Sequence, residues 1–353
     1  IEENGWVDVS QATEGGDFDY PRAVAGGLNA PFMSIFTPAE SEMNGAKDLA
    51  DRLISMVEGI VAESPDKFAI AVSPAEVRAN FDKGIMSLPL GMENGAPIEG
   101  DIQNLQHFYD RGIRYITLTH SKANHISDSS YDENRPNDGL SEFGVEVVHE
   151  MNRLGIMIDV SHVSDAAFYN VMEHSAVPVI ASHSSARHFT PGWERNMDDD
   201  MIRALAKTAG VIQVNAGSAF ITEVSNVYTV AMFDQRKAYL EENDLVDDKN
   251  ASAAFEAGHR VASPFPYAQL GDFIDHIDHV VSLVGVNHVG IGSDFDGVGD
   301  SLPEGFKDVS YYPALIDGLL QRGYSESDIE KILGGNLLRV WQRVEDFAAN
   351  TDS

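Results

Sequence analysis

The stretch VPVIASHSSARHF, Val177 to Phe189, decides how the chain folds. Val177, Val179 and Ile180 are apolar and β-branched. The run therefore reads as a strand buried on both faces, as in a parallel sheet covered by helices. It closes on small residues and then on His183, where a buried strand would otherwise stop. The same plan recurs along the chain. Apolar runs at 30–36 (APFMSIF), 85–93 (IMSLPLGME), 114–120 (RYITLTH), 156–162 (IMIDVSH), 210–216 (GVIQVNA) and 288–294 (HVGIGSD) alternate with helical stretches such as 46–64, 141–155, 164–175 and 198–210. Several of these stretches open with Ser or Asp, whose side chains cap a free helix N–H, and end near Gly. Strand–helix alternation with continuously apolar strands predicts a parallel sheet with helices outside. Seven such units predict a (β/α)₈ barrel of TIM type with one unit unaccounted for. FAIAVS (68–73) is read as an accessory strand, because it ends in a helix cap rather than in chemistry. The 353 residues are read as one barrel domain with a helical insertion at about 216–264.

Composition narrows the function. With 43% hydrophobic residues in 353, the chain can bury a large core. It carries 56 acidic against 24 basic residues, a net charge of −32, which argues against binding nucleic acid or an anionic membrane surface. It has no cysteine, so a metal would have to sit on His, Asp and Glu. No apolar run approaches the roughly 18 residues that span a bilayer. The opening IEENGWVDVS (1–10) lacks the basic start and apolar core of a signal peptide. The expectation is a soluble protein.

The strand ends carry the chemistry. In a (β/α)₈ barrel the C-terminal ends of the strands converge on one mouth, where active sites sit. Five of the seven runs end in Glu93, His120, His162, His183 or Asp294. One such histidine is most simply capped by a backbone carbonyl. Five chemically competent residues at equivalent positions point instead to a site for zinc or a similar divalent ion. The other candidates receive plainer readings. His276 and His279 are read as solvent-side or inter-helix residues, and His149 and His174 as helix residues. His288 starts its strand, at the wrong end of the barrel. His125 and His188 fall in mouth loops as candidate substrate-loop residues, Asp296 either backs the site residues or shapes a turn, and Trp193 and Tyr131 are candidates for the pocket lining.

Seven blocks in order, LGMENGAPIEG (90–100), RYITLTHS (114–121), MIDVSHVS (157–164), VIASHSSAR (179–187), ERNMDDDMI (194–202), VGIGSDFDGV (289–298) and GGNLLRVW (334–341), resemble the renal, or membrane, dipeptidase family of zinc dipeptidases, its bacterial members in particular. The resemblance implies a barrel of the amidohydrolase type with two zinc ions and a small dipeptide as substrate. A dipeptide ending in a D-residue is included. It implies Glu93 bridging both metals, with His162 and His183 completing one site. His120 would sit beside the scissile bond and Arg195 would hold the substrate carboxylate. Asp294 would handle the proton of the attacking water and the substrate amine. The family's first strand also supplies a His-x-Asp pair of ligands. No such pair stands here, and the expectation is that the sequence begins just after that strand. A bacterial cytoplasm or periplasm is the implied compartment, and a homodimer is left open. Two alternatives remain: a different barrel hydrolase, and a metal-poor relative that binds a small carboxylate.

Overall fold

A computed structural model describes residues 7–246 and 248–351. Residues 1–6, read above as following an absent first strand, lie outside the described residues. The strands are β1 (Met33–Phe36), β2 (Phe68–Ile70), β3 (Met86–Leu88), β4 (Leu90–Glu93), β5 (Ile113–Thr117), β6 (Met157–Asp159), β7 (Ile180–Ala181), β8 (Val211–Val214) and β9 (Val289–Ile291). Seven form one curled parallel sheet in the order β1-β4-β5-β6-β7-β8-β9. Parallel neighbours need a crossover, and the helices between them supply it on the outer face.

The run at 85–93 is corrected from one strand to two. Pro89 has no N–H to donate and divides it. Before the proline, β3 pairs with β2, which makes 68–73 the accessory strand expected. After it, β4 pairs with β1 and β5 in the main sheet. The other strands are also shorter than their apolar runs, because pairing stops where the backbone turns toward the mouth. The segment at 216–264 contains three helices, Ser218–Ile221, Glu223–Glu242 and Lys249–Ala262.

The caps behave as their residue types dictate. Ser141 Oγ accepts from Gly144 N at 2.9 Å, Ser164 Oγ from Ala167 N at 3.2 Å and Asp198 Oδ1 from Met201 N at 2.8 Å. Gly155 ends the helix Glu142–Leu154 at φ 84°, a left-handed conformation that favours glycine.

An apolar plug closes the N-terminal ends of the strands. The C-terminal helix Asn336–Thr351 buries Val340, Trp341 and Val344 against Met157, Val177, Ile180 and Val211. Phe32 lies between Trp341 and Tyr115, with ring centres 5.4 and 5.2 Å away. Tyr115 in turn lies so close to β4 that a Cβ on Gly91 would fall 2.0 Å from its ring. With one end plugged, the opposite end is the open mouth.

Trp341 is fully buried. Trp341→Ala should therefore cost about 3–5 kcal/mol of stability, and Trp341→Phe clearly less. Urea unfolding of the two variants against the parent checks this. A loss below about 1 kcal/mol for the alanine variant would show that the plug does not close the fold.

Candidate metal centre

Five side chains arrive at the mouth because five parallel strands end there. Glu93 is the last residue of β4. His120 and His162 stand three residues beyond β5 and β6, His183 two beyond β7, and Asp294 three beyond β9. The histidines and the aspartate thus occupy the first loop residues rather than the strands themselves. His162 (φ 69°) and Asp294 (φ 56°) adopt left-handed backbone that non-glycine residues rarely take. Such positions persist only where the surroundings enforce them, and they cluster at functional sites.

The geometry is tight. Glu93 Oε1 lies 3.2 Å from His183 Nε2, 3.3 Å from His162 Nε2 and 3.6 Å from His120 Nε2. The His162 and His183 Nε2 atoms are 2.8 Å apart. Ligand atoms of Glu93, His120 and His162 all lie within 4.8 Å of one another. Ser34, on β1, donates to Glu93 Oε2 at 2.9 Å and orients the carboxylate.

The surrounding shell fixes what these atoms can do. Asp159, at the end of β6, accepts from Ser182 N at 2.8 Å, Ser161 N at 3.0 Å, Thr117 Oγ1 at 2.5 Å and Ser182 Oγ at 2.5 Å. Ser182 has one hydroxyl proton and spends it on Asp159. Its oxygen, 2.7 Å from His183 Nδ1, must therefore accept the imidazole N–H. The tautomer follows: His183 Nε2 turns a lone pair toward Glu93 Oε1, itself an acceptor. A cation satisfies two facing acceptors, and an imidazole whose other nitrogen is hydrogen-bonded is the usual way to hold one.

Electrostatics lead to the same conclusion. Burial pushes the Glu93 carboxyl up, but His183 and His162 beside it bring it well below the usual carboxylate range. Burial opposes charge on His183, yet Glu93 and Asp294 leave its pKa raised. Burial, then the Arg195 charge, pushes His162 well down, and burial lowers His120. Burial, aided by Glu93, raises Asp294. Carboxylates that draw positive charge, beside the His120 and His162 imidazoles that burial keeps neutral, form the donor set of a divalent ion. The buried Nδ1 atoms of His120 and His162 have no partner, so neither ring is committed elsewhere.

Arg195 lies beside this cluster, 3% exposed. Its Nη1 donates to Ser184 Oγ at 2.7 Å and its Nη2 to the His183 carbonyl at 2.9 Å. Its Nε is buried without a partner, and it makes no ion pair among the described residues. The neighbouring acids pair elsewhere: Asp165 and Asp198 with Arg187, and Asp199 with His279. Asp294 Oδ2 accepts from Asn215 Nδ2 at 2.9 Å, which ties the ends of β8 and β9.

Several residues that shape the site escaped the sequence reading. Asn196 is fully buried, accepts from Ser185 N at 2.9 Å, and donates to Thr190 Oγ1 and the Phe220 carbonyl, both at 2.8 Å. His276, expected as a solvent-side or inter-helix residue, has no exposed surface at all. Its Nδ1 accepts from Ala186 N at 3.1 Å and its Nε2 donates to the Ile221 carbonyl at 2.9 Å. Asn196 and His276 together fasten the loop that carries Arg195 to the loop after β8. The other histidines match their plainer readings. His279 joins two helices through Asp199 at 2.8 Å, and His288 donates to the Gly210 carbonyl at 2.9 Å. His125 meets Glu42 at 2.5 Å between two mouth loops. Asp296 accepts the Asp17 N–H at 2.7 Å and returns its own N–H to the Asp17 carboxylate at 2.7 Å, so it ties the N-terminal segment to the loop after β9.

A carboxylate and three imidazoles at the C-terminal rim of a curled parallel sheet define a metallohydrolase. Comparison with known proteins names the family. The sequence model of membrane dipeptidase (peptidase family M19) matches residues 1–353. The chain is 34% identical over 342 residues to the dipeptidase aclJ of Aspergillus oryzae, across 94% of this chain and 71% of that protein. It is 32% identical over 343 residues to the dipeptidase tcpJ of Claviceps purpurea, across 95% and 71%. Among solved structures it resembles the probable dipeptidase PvdM of Pseudomonas aeruginosa at a TM-score of 0.83 and 28% identity, covering 96% of this chain and 91% of that one. A metallo peptidase from Rhodobacter sphaeroides, liganded with a phosphinate mimic of L-Ala-D-Ala, shares the fold at a TM-score of 0.77, 24% identity and coverage of 96% and 93%. The chain belongs to the membrane dipeptidase family, M19, whose members are metallo-dipeptidases. Among the described residues, no helix is long and apolar enough to cross a membrane.

Burial lowers the His276 pKa to about 4. Its stabilising role is therefore complete above its unfolded value near 6.5 and is lost as pH falls toward 4, a span worth about 3 kcal/mol. His276→Gln should be less stable than the parent at pH 7, and the gap should narrow by pH 4.5. Urea midpoints of both proteins at the two pH values test this, and a pH-independent gap would contradict it.

Proposed function

We propose that this protein hydrolyses the peptide bond of dipeptides, gripping the substrate's terminal carboxylate through Arg195 beside a divalent metal centre. The observation that carries this reading is Arg195 itself. A buried guanidinium with no carboxylate partner and an unsatisfied Nε is incomplete without an anion. Its planar fork matches a carboxylate. A site that anchors the terminal carboxylate next to the reacting centre selects short peptides. The grip is on the carboxylate, so the reading includes dipeptides that end in a D-residue.

Glu93, His162 and His183 would hold the metal. Zinc suits this mixture of imidazole and carboxylate. When bound, the cation supplies Lewis acidity, which polarises a peptide carbonyl and acidifies water. The chain's own groups do the rest. His120, kept neutral by burial, donates to the oxyanion that develops on the attacked carbonyl. Asp294 is half-buried, has a raised pKa and is held by Asn215. It accepts a proton from the attacking water and delivers it to the leaving amine.

Two measurements test the reading. His183→Ala should lose bound zinc and most turnover while keeping a parent-like melting curve, because a rim imidazole contributes ligation rather than core packing. Normal zinc content and turnover in that variant would overturn the metal assignment. Separately, the parent should strongly prefer a dipeptide acid over its C-terminal amide. Arg195→Lys should lose roughly ten- to 150-fold of that preference, which corresponds to one charge-assisted hydrogen bond. Equal discrimination by both proteins would show that another group holds the carboxylate.

A further inference from the structure

Three aromatic rings surround Arg195, and no step described above uses them. Tyr131 comes from the loop after β5, Trp193 from the loop after β7 and Phe220 from the short helix Ser218–Ile221 that follows β8. The Tyr131 and Trp193 ring centres are 6.1 Å apart, and those of Trp193 and Phe220 are 5.0 Å apart, both edge-on. The Arg195 guanidinium carbon lies 5.0 Å from the centre of the Phe220 ring. At the other end of the row, the Tyr131 ring is 5.8 Å from that of His162. The rings therefore form a continuous series of neighbours from His162 to the Arg195 guanidinium.

The row is both fixed and open. Ser129 Oγ donates to the His120 carbonyl at 2.5 Å, and Ser130 N to the His162 carbonyl at 2.8 Å, so Tyr131 rides on a segment pinned to two rim residues. Burial raises the pKa of the Tyr131 hydroxyl, and the nearby Arg195 charge opposes that shift. The ring nevertheless leaves the residue 42% exposed. Trp193 and Phe220 are half-buried. Apolar ring surface thus faces the mouth at the point where the substrate carboxylate would bind. In a dipeptide, the second side chain branches from the carbon that bears this carboxylate. It must come to rest against whatever surrounds Arg195.

We propose that Tyr131, Trp193 and Phe220 form the subsite for the side chain of the substrate's carboxylate-terminal residue, making dipeptides that end in an aromatic or large apolar residue the preferred class. This rests on the reading that Arg195 holds the carboxylate. Edge-to-face contact and removal of ring surface from water favour such side chains, and glycine offers neither.

The test measures kcat/KM of the zinc-loaded protein for Ala-Phe, Ala-Leu and Ala-Gly, with Ala-Phe amide as a fourth substrate. The parent should favour Ala-Phe over Ala-Gly by about tenfold or more. Trp193→Ala and Tyr131→Ala, on separate loops, should each lose several times more on Ala-Phe than on Ala-Gly, chiefly through KM, and Trp193→Phe should restore most of the loss. Thermal melts of each variant establish that it is folded. A flat Phe-to-Gly ratio with the acid-over-amide preference intact would overturn the subsite alone. Loss of the acid-over-amide preference in the parent would overturn the Arg195 reading and the subsite with it.

Discussion

The mouth depends on one buried carboxylate. Asp159 stands at the end of β6 with no exposed surface and gathers hydrogen bonds from Thr117 on β5, Ser161 on its own loop, and both the backbone and hydroxyl of Ser182 beyond β7. Three adjacent strand ends are thereby held at one height. A charge buried in a sheet is tolerable only when its lone pairs are filled, and here four donors fill them. The same bonds set the His183 tautomer through Ser182. One residue therefore supports the fold and sets the direction of a ligand lone pair.

Placement of the remaining groups follows from the two ends of the sheet. The N-terminal ends are closed by Trp341, Phe32 and Tyr115, so the polar groups that strand ends leave behind are concentrated at the other end. There, Glu93 and Asp294 bring negative charge into a buried space, and the imidazoles of His120, His162 and His183 surround it. Arg195 adds a cation at the edge, supported by a hydroxyl and a carbonyl rather than by an acid. The result is a divided field, with carboxylates and imidazoles at the centre and a guanidinium at the rim. Asn196 and His276 maintain this division by fastening the loop with Arg195 to its neighbour.

Much of this was legible in the residues. The apolar runs located the seven sheet strands, because burial on both faces leaves no room for polar alternation. Strand-end chemistry identified Glu93, His120, His162, His183 and Asp294, because parallel strands must deliver their last residues to one side. Asp159 offered a signal that went unused: a charge within IMIDVSH is costly unless the fold answers it. His276 offered none. DFIDHIDHVV reads as an ordinary amphipathic helix, and only the packing of that helix under two loops shows where the imbalance between its two histidines lies.

The sequence by itself determined the class of fold and the residues at the strand ends, because these follow from local periodicity and from the common direction of parallel strands. Tertiary structure alone decided that Pro89 splits one apolar run between two sheets, since a proline's missing N–H matters only when a partner strand is present. It alone decided the protonated nitrogen of His183, which rests on a serine oxygen and an aspartate from different strands. It alone left Arg195 without an acid, although several stand nearby in sequence. Each of these depends on which groups meet across the mouth, and such distances are set by packing that no stretch of sequence contains.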